Sequence, residues 1–271
     1  MTIEIEKELK RLEEEKKIKI VYAVESGSRA WGFASTDSDW DVRFIYVHDY
    51  DWYLSVEEKK DNIEIILPND IDLSGWEMRK ALVLFRKSNP PLLEWLRSPI
   101  VYRDAYCSAG RLRDAEKRYF NPKSCLYHYF NMARGNYEEY FREEIVRIKK
   151  YFYVLRPLLA CCWIEKNMTV PPMEFDLLLE PEEMGPNLRN EIGELLTRKR
   201  SGEELNMEKR RLVIDEFIEE KIKHFELYLA DFSFKSSVDY LELNNIFRDT
   251  LKECWPVQPD ALEEYSPASS Q

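Results

Sequence analysis

Residues 27–46 read GSRAWGFASTDSDWDVRFIY, and this stretch decides how the front of the chain is built. A turn at Gly27-Ser28 leads into a polar loop carrying Asp37, Asp39 and Asp41. The apolar residues Val42, Phe44, Ile45 and Tyr46 follow at once. Carboxylates at every second position repel one another and disfavour a strand, so the arrangement calls for a counter-charge. On a strand, residues i and i+2 project from the same face. Acids placed that way raise one another's pKa values, and a divalent cation reverses this by stabilising both ionised forms. Mg²⁺ (or Mn²⁺) suits such a pair, because it takes carboxylates together with substrate phosphates. A glycine at a strand-to-helix turn lets backbone N–H groups approach a phosphate closely, and the Ser28 hydroxyl adds a donor. Phosphate donors on one side and paired acids on the other describe a nucleoside triphosphate site.

The flanking sequence supplies the frame. IKIVYAV (18–24) reads as a buried strand, SRAWGF as a short helical turn and DVRFIYV (41–47) as a second strand. NIEIIL (62–67) and IDLS (71–74) form a hairpin around Pro68-Asn69-Asp70. Residues 3–17 are a charged helix with the apolar stripe Ile5, Leu9 and Leu12. WEMRKALVLFRKS (76–88) puts Met78, Leu82 and Phe85 on one helical face and stops at Asn89-Pro90-Pro91. PLLEWLR is a short helix and PIVYR (99–103) another strand. From about residue 105 strand signals disappear, and every segment has a helical pattern. The expected class is therefore α+β: a small mixed sheet with helices over 1–104, an all-helical region over 105–256, and a loose tail over 257–271. No internal repeat is present.

Composition sets limits on function. With 271 residues, 44% hydrophobic and 34% charged, the chain is expected to form a soluble protein with a deep core. No apolar run approaches the roughly 20 residues needed to span a bilayer. The N-terminal MTIEIEKELKRLEEEKK lacks the apolar centre of a signal peptide, so a cytoplasmic location is expected. Five cysteines without a CxxC pattern and three scattered histidines leave little material for a zinc site or a Ser-His-Asp triad. Cys161 and Cys162 in LLACCW read as small buried thiols. A net charge of −11 argues against a grip on long duplex nucleic acid, though not against a local basic groove.

Gly27-Ser28, ten residues, then Asp39-Trp40-Asp41-Val42 resembles the signature of the DNA polymerase beta-type nucleotidyltransferases. GSRAWGFASTDSDWDVRFIYV, DLSGWEMRKAL, KSNPPLLEWLRSPIVY and KKYFYVLRPLLACCWIE resemble more narrowly a bacterial and archaeal group of predicted nucleotidyltransferases, some associated with RNA repair ligases. The resemblance covers roughly residues 18–180. It implies a small mixed sheet followed by a helical region that closes over the nucleotide, and it implies three carboxylates. Asp39 and Asp41 match the pair, and Asp72, on a neighbouring strand, matches the third, with Glu64 and Asp70 as rivals. By implication these acids bind two divalent ions while an acceptor hydroxyl attacks the α-phosphate and pyrophosphate leaves. The acceptor could be an RNA end, a small molecule or a protein. An interaction module with a relic fold, such as a toxin–antitoxin partner, is the competing class, and three intact acids argue against it.

The remaining candidates divide between chemistry and structure. Asp37 shares the parity of the acids but belongs with the turn chemistry of STDSD. Arg29 follows the turn and is a candidate triphosphate contact, with surface solvation or a structural ion pair close behind. Arg43 shares the acids' face, and substrate contact balances internal pairing with the carboxylates. Lys149, Tyr153 and Arg156 share one helical face. The resemblance puts that helix near the nucleotide, making Lys149 or Lys150 a phosphate candidate. Arg156, set among leucines, must find a partner. Tyr151, Phe152 and Tyr153 read as core or base-stacking wall, and Trp31, Trp40 and Trp76 as packing around the sheet. The basic runs RLRDAEKR (111–118) and TRKR (197–200) could attract RNA, but acids interleave with both.

Overall fold

The computed structural model describes residues 1–179, 184–203, 206–235 and 239–256. The expected tail, 257–271, lies outside them. Five strands, β1 (Lys19–Glu25), β2 (Trp40–Val47), β3 (Asn62–Leu67), β4 (Ile71–Glu77) and β5 (Val101–Asp104), form one sheet in the order β3-β4-β2-β1-β5. The β2–β4 pairing is parallel and the other three are antiparallel. β3 and β4 turn at Pro68-Asn69-Asp70, where Asn69 and Asp70 both take positive φ, a conformation these two residue types tolerate.

Strand parity sorts the two faces. Val42, Phe44 and Tyr46 of β2 point to one side, where helix α1 (Thr2–Lys16) lays its fully buried stripe of Ile5, Leu9 and Leu12. Ile45 and Val47 point to the other side, into a larger core that continues through the helices of the rear half as far as Leu251 and Cys254. Asp41 and Arg43 have the parity of Ile45 and Val47, so the acids stand on the helical side of the sheet, at the N-terminal end of β2. The front half is completed by the short α2 (Gly27–Ala30) and α3 (Tyr50–Leu54), then by α4 (Met78–Arg86) and α5 (Pro90–Leu96). Asn89 caps α5, its side chain accepting from the Leu92 amide at 3.2 Å.

The rear half is helical, with α6 (Ser108–Tyr119), α7 (Pro122–Tyr140), α8 (Ile148–Asn167), α9 (Phe175–Leu178), α10 (Pro186–Arg200), α11 (Leu212–Asp231) and α12 (Leu241–Cys254). A two-stranded ribbon interrupts it, and there the structure departs from the expectation of helix throughout. β6 (Ile145–Arg147) pairs antiparallel with β7 (Met207–Lys209), replacing what read as the first turns of two helices. Its central Val146 is buried, and the ribbon delivers α8 in register: the Ile148 amide donates to the Asn206 carbonyl at 3.2 Å. Pro157 stands inside α8, where it cannot donate to the carbonyl of Tyr153. Asn136 of α7 supplies the missing donor, its Nδ2 lying 2.8 Å from that carbonyl. Among the described residues no helix is long and apolar enough to cross a membrane.

Candidate active site

The site begins at Gly27. β1 ends at Glu25, and the chain turns through Ser26 and Gly27, with Gly27 at φ +57°, into one turn of helix. Here the glycine is required twice over. Positive φ disfavours any side chain, and a Cβ at this position would lie 2.0 Å from Oδ2 of Asp41. The turn is therefore pressed against the strand carboxylate. It is tied there by the Ser26 amide, which donates to the Asp41 carbonyl at 2.8 Å.

Parallel pairing brings Asp72 of β4 directly opposite Asp41 of β2. Glu64 faces Ser74 from β3 and is exposed, and Asp70 lies in the turn. Of the three acids weighed for the third position, the register thus sets Asp72 beside Asp41. Arg43 lies between them: its Nη2 donates to Asp41 Oδ1 at 2.8 Å and to Asp72 Oδ2 at 2.9 Å. Its Nη1 donates to the carbonyls of Asp72 and Val42 at 3.1 and 3.2 Å. Internal pairing is the arrangement Arg43 adopts. Burial raises the Asp41 pKa, the Arg43 charge opposes that shift, and the Asp72 and Asp39 charges reinforce it.

Beneath Asp41 lies a buried carboxylate that sequence reading passed over. Glu25 is fully buried, and its Oε1 accepts from the Asp41 amide at 2.9 Å. Its Oε2 accepts from the Tyr102 hydroxyl, and burial pushes its pKa up. The loop before the acids is held separately. Arg29 donates to the carbonyls of Ser38 and Asp39 at 2.6 and 3.1 Å, and its guanidinium stacks 3.7 Å above the Trp40 ring. Arg29 therefore clamps the loop and is not part of the cavity wall.

A cavity of about 590 Å³ opens over this floor. Ser26, Gly27 and Ser28 form one rim, and Asp37, Asp39, Asp41 and Arg43 line its acidic side. Asp37 sits in the turn, as expected, and also reaches the rim. Asp72 is not among the lining residues, though Arg43, which is, bonds to it. Trp31, Phe33, Phe152 and Tyr153 give an aromatic wall, and Lys149 and Lys199 face it from the helices. Lys150 is not among the lining residues and lies 3.5 Å from the centre of the Tyr140 ring and 4.9 Å from that of Tyr153. Of the other residues singled out from the sequence, Trp76 stacks on Trp95, while Arg156 is buried against Glu94 at 2.7 Å and lies over Trp31.

Lys199 was hidden within the basic run TRKR. It is 5% exposed, and burial together with the Lys149 charge lowers its pKa to about 8. The signal was available: Lys199 continues the spacing of Ile192, Leu195 and Leu196, the buried face of α10. Its neighbours are engaged elsewhere, Arg198 with Glu203 and Glu208, and Arg200 with Asp176 and the Gly32 carbonyl. In the other basic run, Arg111, Arg113 and Arg118 pair with Glu253, Asp104 and Glu242. The arginines of both runs are thus built into ion pairs.

Among the described residues, no three acidic, histidine or cysteine side chains converge as a ready metal-binding group. The donor chemistry still fits a hard divalent cation. Asp39 and Asp41 are oxygen donors on one cavity wall, Asp72 is in register beside Asp41, and Asp41 Oδ2 lies against the tight Gly27 turn on the cavity rim.

A glycine turn against a strand carboxylate, an acid on the adjoining parallel strand, and lysines facing both from a helical half make the layout of a polymerase beta-type nucleotidyltransferase. The model of the RNA repair pathway DNA polymerase beta family, RlaP, matches residues 1–249, and the chain belongs to that family. It is 51% identical over 248 residues to the uncharacterized protein YcgL of Bacillus subtilis (strain 168), covering 92% of this chain and 95% of that one. A crystal structure of a nucleotidyltransferase-like protein from Exiguobacterium sibiricum aligns with 90% of this chain and 88% of its own at 12% identity. Its TM-score of 0.31 is too loose an overlap to argue from.

Proposed function

We propose that the chain is a nucleotidyltransferase that binds a nucleoside triphosphate in the 590 Å³ cavity and moves the nucleoside monophosphate to an acceptor hydroxyl. The observation that carries this reading is the closure of Gly27 on Asp41, with Lys149 and Lys199 across the same cavity. Phosphate donors, acids and cations then surround one space of nucleotide size.

In this reading Ser28 and the amides of the Gly27 turn hold the terminal phosphates, as the start of a helical turn suits anions. Lys149 and Lys199 neutralise the remaining phosphate charge. The base lies against Trp31, Phe33, Phe152 and Tyr153, whose faces tolerate any base. Asp39, Asp41 and Asp72 would hold Mg²⁺ or Mn²⁺, which supplies charge screening at the α-phosphate and lowers the acceptor hydroxyl's pKa. The acceptor oxygen forms a bond to the α-phosphorus as the bond to the bridging oxygen breaks. Pyrophosphate departs, and the hydroxyl proton passes to Asp72 or to water. Glu25 acts one layer below, fixing the backbone of Asp41 through its amide. The RNA repair description of the family favours an RNA end as acceptor. The pairing of both basic runs leaves them little to offer a long duplex.

Thermal shift with ATP and Mg²⁺ tests the reading. Wild type is expected to be stabilised and the Asp39→Ala/Asp41→Ala variant is not; equal shifts would leave only a non-catalytic interaction module. Incubation with each α-labelled triphosphate and with RNA oligomers or tRNA then identifies the acceptor, and label found on protein alone would remove the RNA end.

A further inference from the structure

Resting on that reading of the acids, we infer that Arg43 is a built-in counter-ion for the Asp41–Asp72 pair, which a divalent cation must displace to bridge those two carboxylates. The argument is geometric. Arg43 is two residues beyond Asp41 on β2 and therefore has the same face, and parallel pairing puts Asp72 opposite Asp41 on β4. A single nitrogen, Nη2, reaches Oδ1 of one acid at 2.8 Å and Oδ2 of the other at 2.9 Å. That is the place a bridging cation would take, and two positive charges cannot share it.

The guanidinium is fixed there by more than charge. Its Nη1 is anchored on the Asp72 and Val42 carbonyls, so the planar fork is held in position by both strands. Its side chain is 18% exposed, and the acids are 28% and 40% exposed. The pair is thus neutralised in a partly dry setting, where attraction exceeds its value in open water. Each carboxylate also keeps a second oxygen. Asp41 Oδ2 faces Gly27, on the rim where the phosphates are placed. Arg43 therefore divides the acids into two unequal positions. One, on the Gly27 side with Asp39 and Asp41, lies open to a cation that arrives with triphosphate. The other, between Asp41 and Asp72, is closed while the guanidinium stays. The chain's own side chain thereby suppresses binding of free metal and couples occupancy of the inner position to whatever moves Arg43.

A triphosphate-binding arginine and a built-in counter-ion predict opposite signs. In Arg43→Met, Mn²⁺ titrated without nucleotide, followed by electron paramagnetic resonance or calorimetry, is expected to bind about tenfold tighter than in wild type. Arg43→Lys keeps the charge but loses the fork and falls between the two. It also serves as the second variant should Arg43→Met fold poorly. Mn²⁺ binding that is unchanged or weaker in a folded Arg43→Met or Arg43→Lys protein overturns the inference. Titration with a non-hydrolysable triphosphate is run in parallel. Loss of nucleotide binding in wild type would sink the nucleotidyltransferase reading while leaving the Mn²⁺ comparison intact. Tighter metal binding in Arg43→Met that disappears on adding Asp72→Asn places the effect at this pair, and persistence of the full gain in that double variant refutes it.

Discussion

Replacing Lys199 with methionine should make the protein more stable and, on the proposed reading of the cavity, weaken nucleotide binding. Lys199 sits on the buried face of α10, 5% exposed, with its ammonium 5.7 Å from the centre of the Phe33 ring and the Lys149 charge nearby. Burial takes its pKa from the ordinary 10.5 to about 8. The folded value lies below the unfolded one. Below pH 8 both states therefore carry the proton, and the folded state bears the whole cost of the buried charge. As pH rises from about 8 to 10.5 the folded state releases its proton first, and the cost fades. At about 1.4 kcal/mol per unit, the shift amounts to about 3 kcal/mol at pH 7, falling below about 1 kcal/mol at pH 10. Methionine keeps much of the side-chain volume without the charge. Urea denaturation at the two pH values should show Lys199→Met more stable than wild type at pH 7, with a gain that shrinks at pH 10. Nucleotide affinity at pH 7 should fall roughly tenfold if Lys199 contacts a phosphate as proposed. In wild type that affinity should weaken as pH rises through about 8, a dependence absent from the variant. A variant no more stable than wild type at pH 7, or a gain independent of pH, would refute the reasoning.

Two further substitutions probe the frame around the site. Gly27→Ala forces a side chain into positive φ and sets its Cβ 2.0 Å from the Asp41 carboxylate. The expected cost is about 1–2 kcal/mol from the backbone alone, with loss of the ATP-dependent thermal shift; an alanine variant that melts and binds like wild type would contradict the close approach. Arg156→Met strands Glu94, whose side chain is 11% exposed, with Tyr129 as its remaining hydrogen-bond partner in the pair's network. A loss of about 3–5 kcal/mol in denaturant titration is expected, most of it recovered when Glu94→Gln is added. Additive effects in the double variant would show that the two side chains are not coupled.

How much of this was open to reading from the sequence depends on whether the determining interaction is local. The stripe of α1, the turn at Pro68-Asn69-Asp70 and the helical turn after Gly27 are fixed by residues a few positions apart, and all three form where expected. The parity of Asp39 and Asp41 is local as well. Their relation to Asp72 is not, because it depends on β4 pairing parallel with β2, and strand order arises from burying the two faces rather than from either strand alone. The ribbon of β6 and β7 escaped for a related reason. Three-residue strands some 60 residues apart, each adjoining a strong helical pattern, carry too little period to outweigh it.

One kind of signal nevertheless crosses from local pattern to the site. Arg43 occupies a core-phase position of β2, Arg156 a core-phase position of α8, Lys199 a core-phase position of α10, and Glu25 the end of a buried strand. A charge at such a position has to be compensated from elsewhere in the chain, since leaving it bare in the core costs several kcal/mol. The periodicity thus identifies which charged residues need distant partners, though not which partners they find. Arg43 finds the acids of two strands, Arg156 finds Glu94, and Glu25 finds the Asp41 amide and Tyr102. Lys199 is carried to the cavity wall beside Lys149. Runs such as RLRDAEKR and TRKR suggest nucleic acid when their charges are counted together. Sorted by helical phase, they separate into arginine ion pairs and one buried lysine, and it is that lysine, not the run, that lines the cavity.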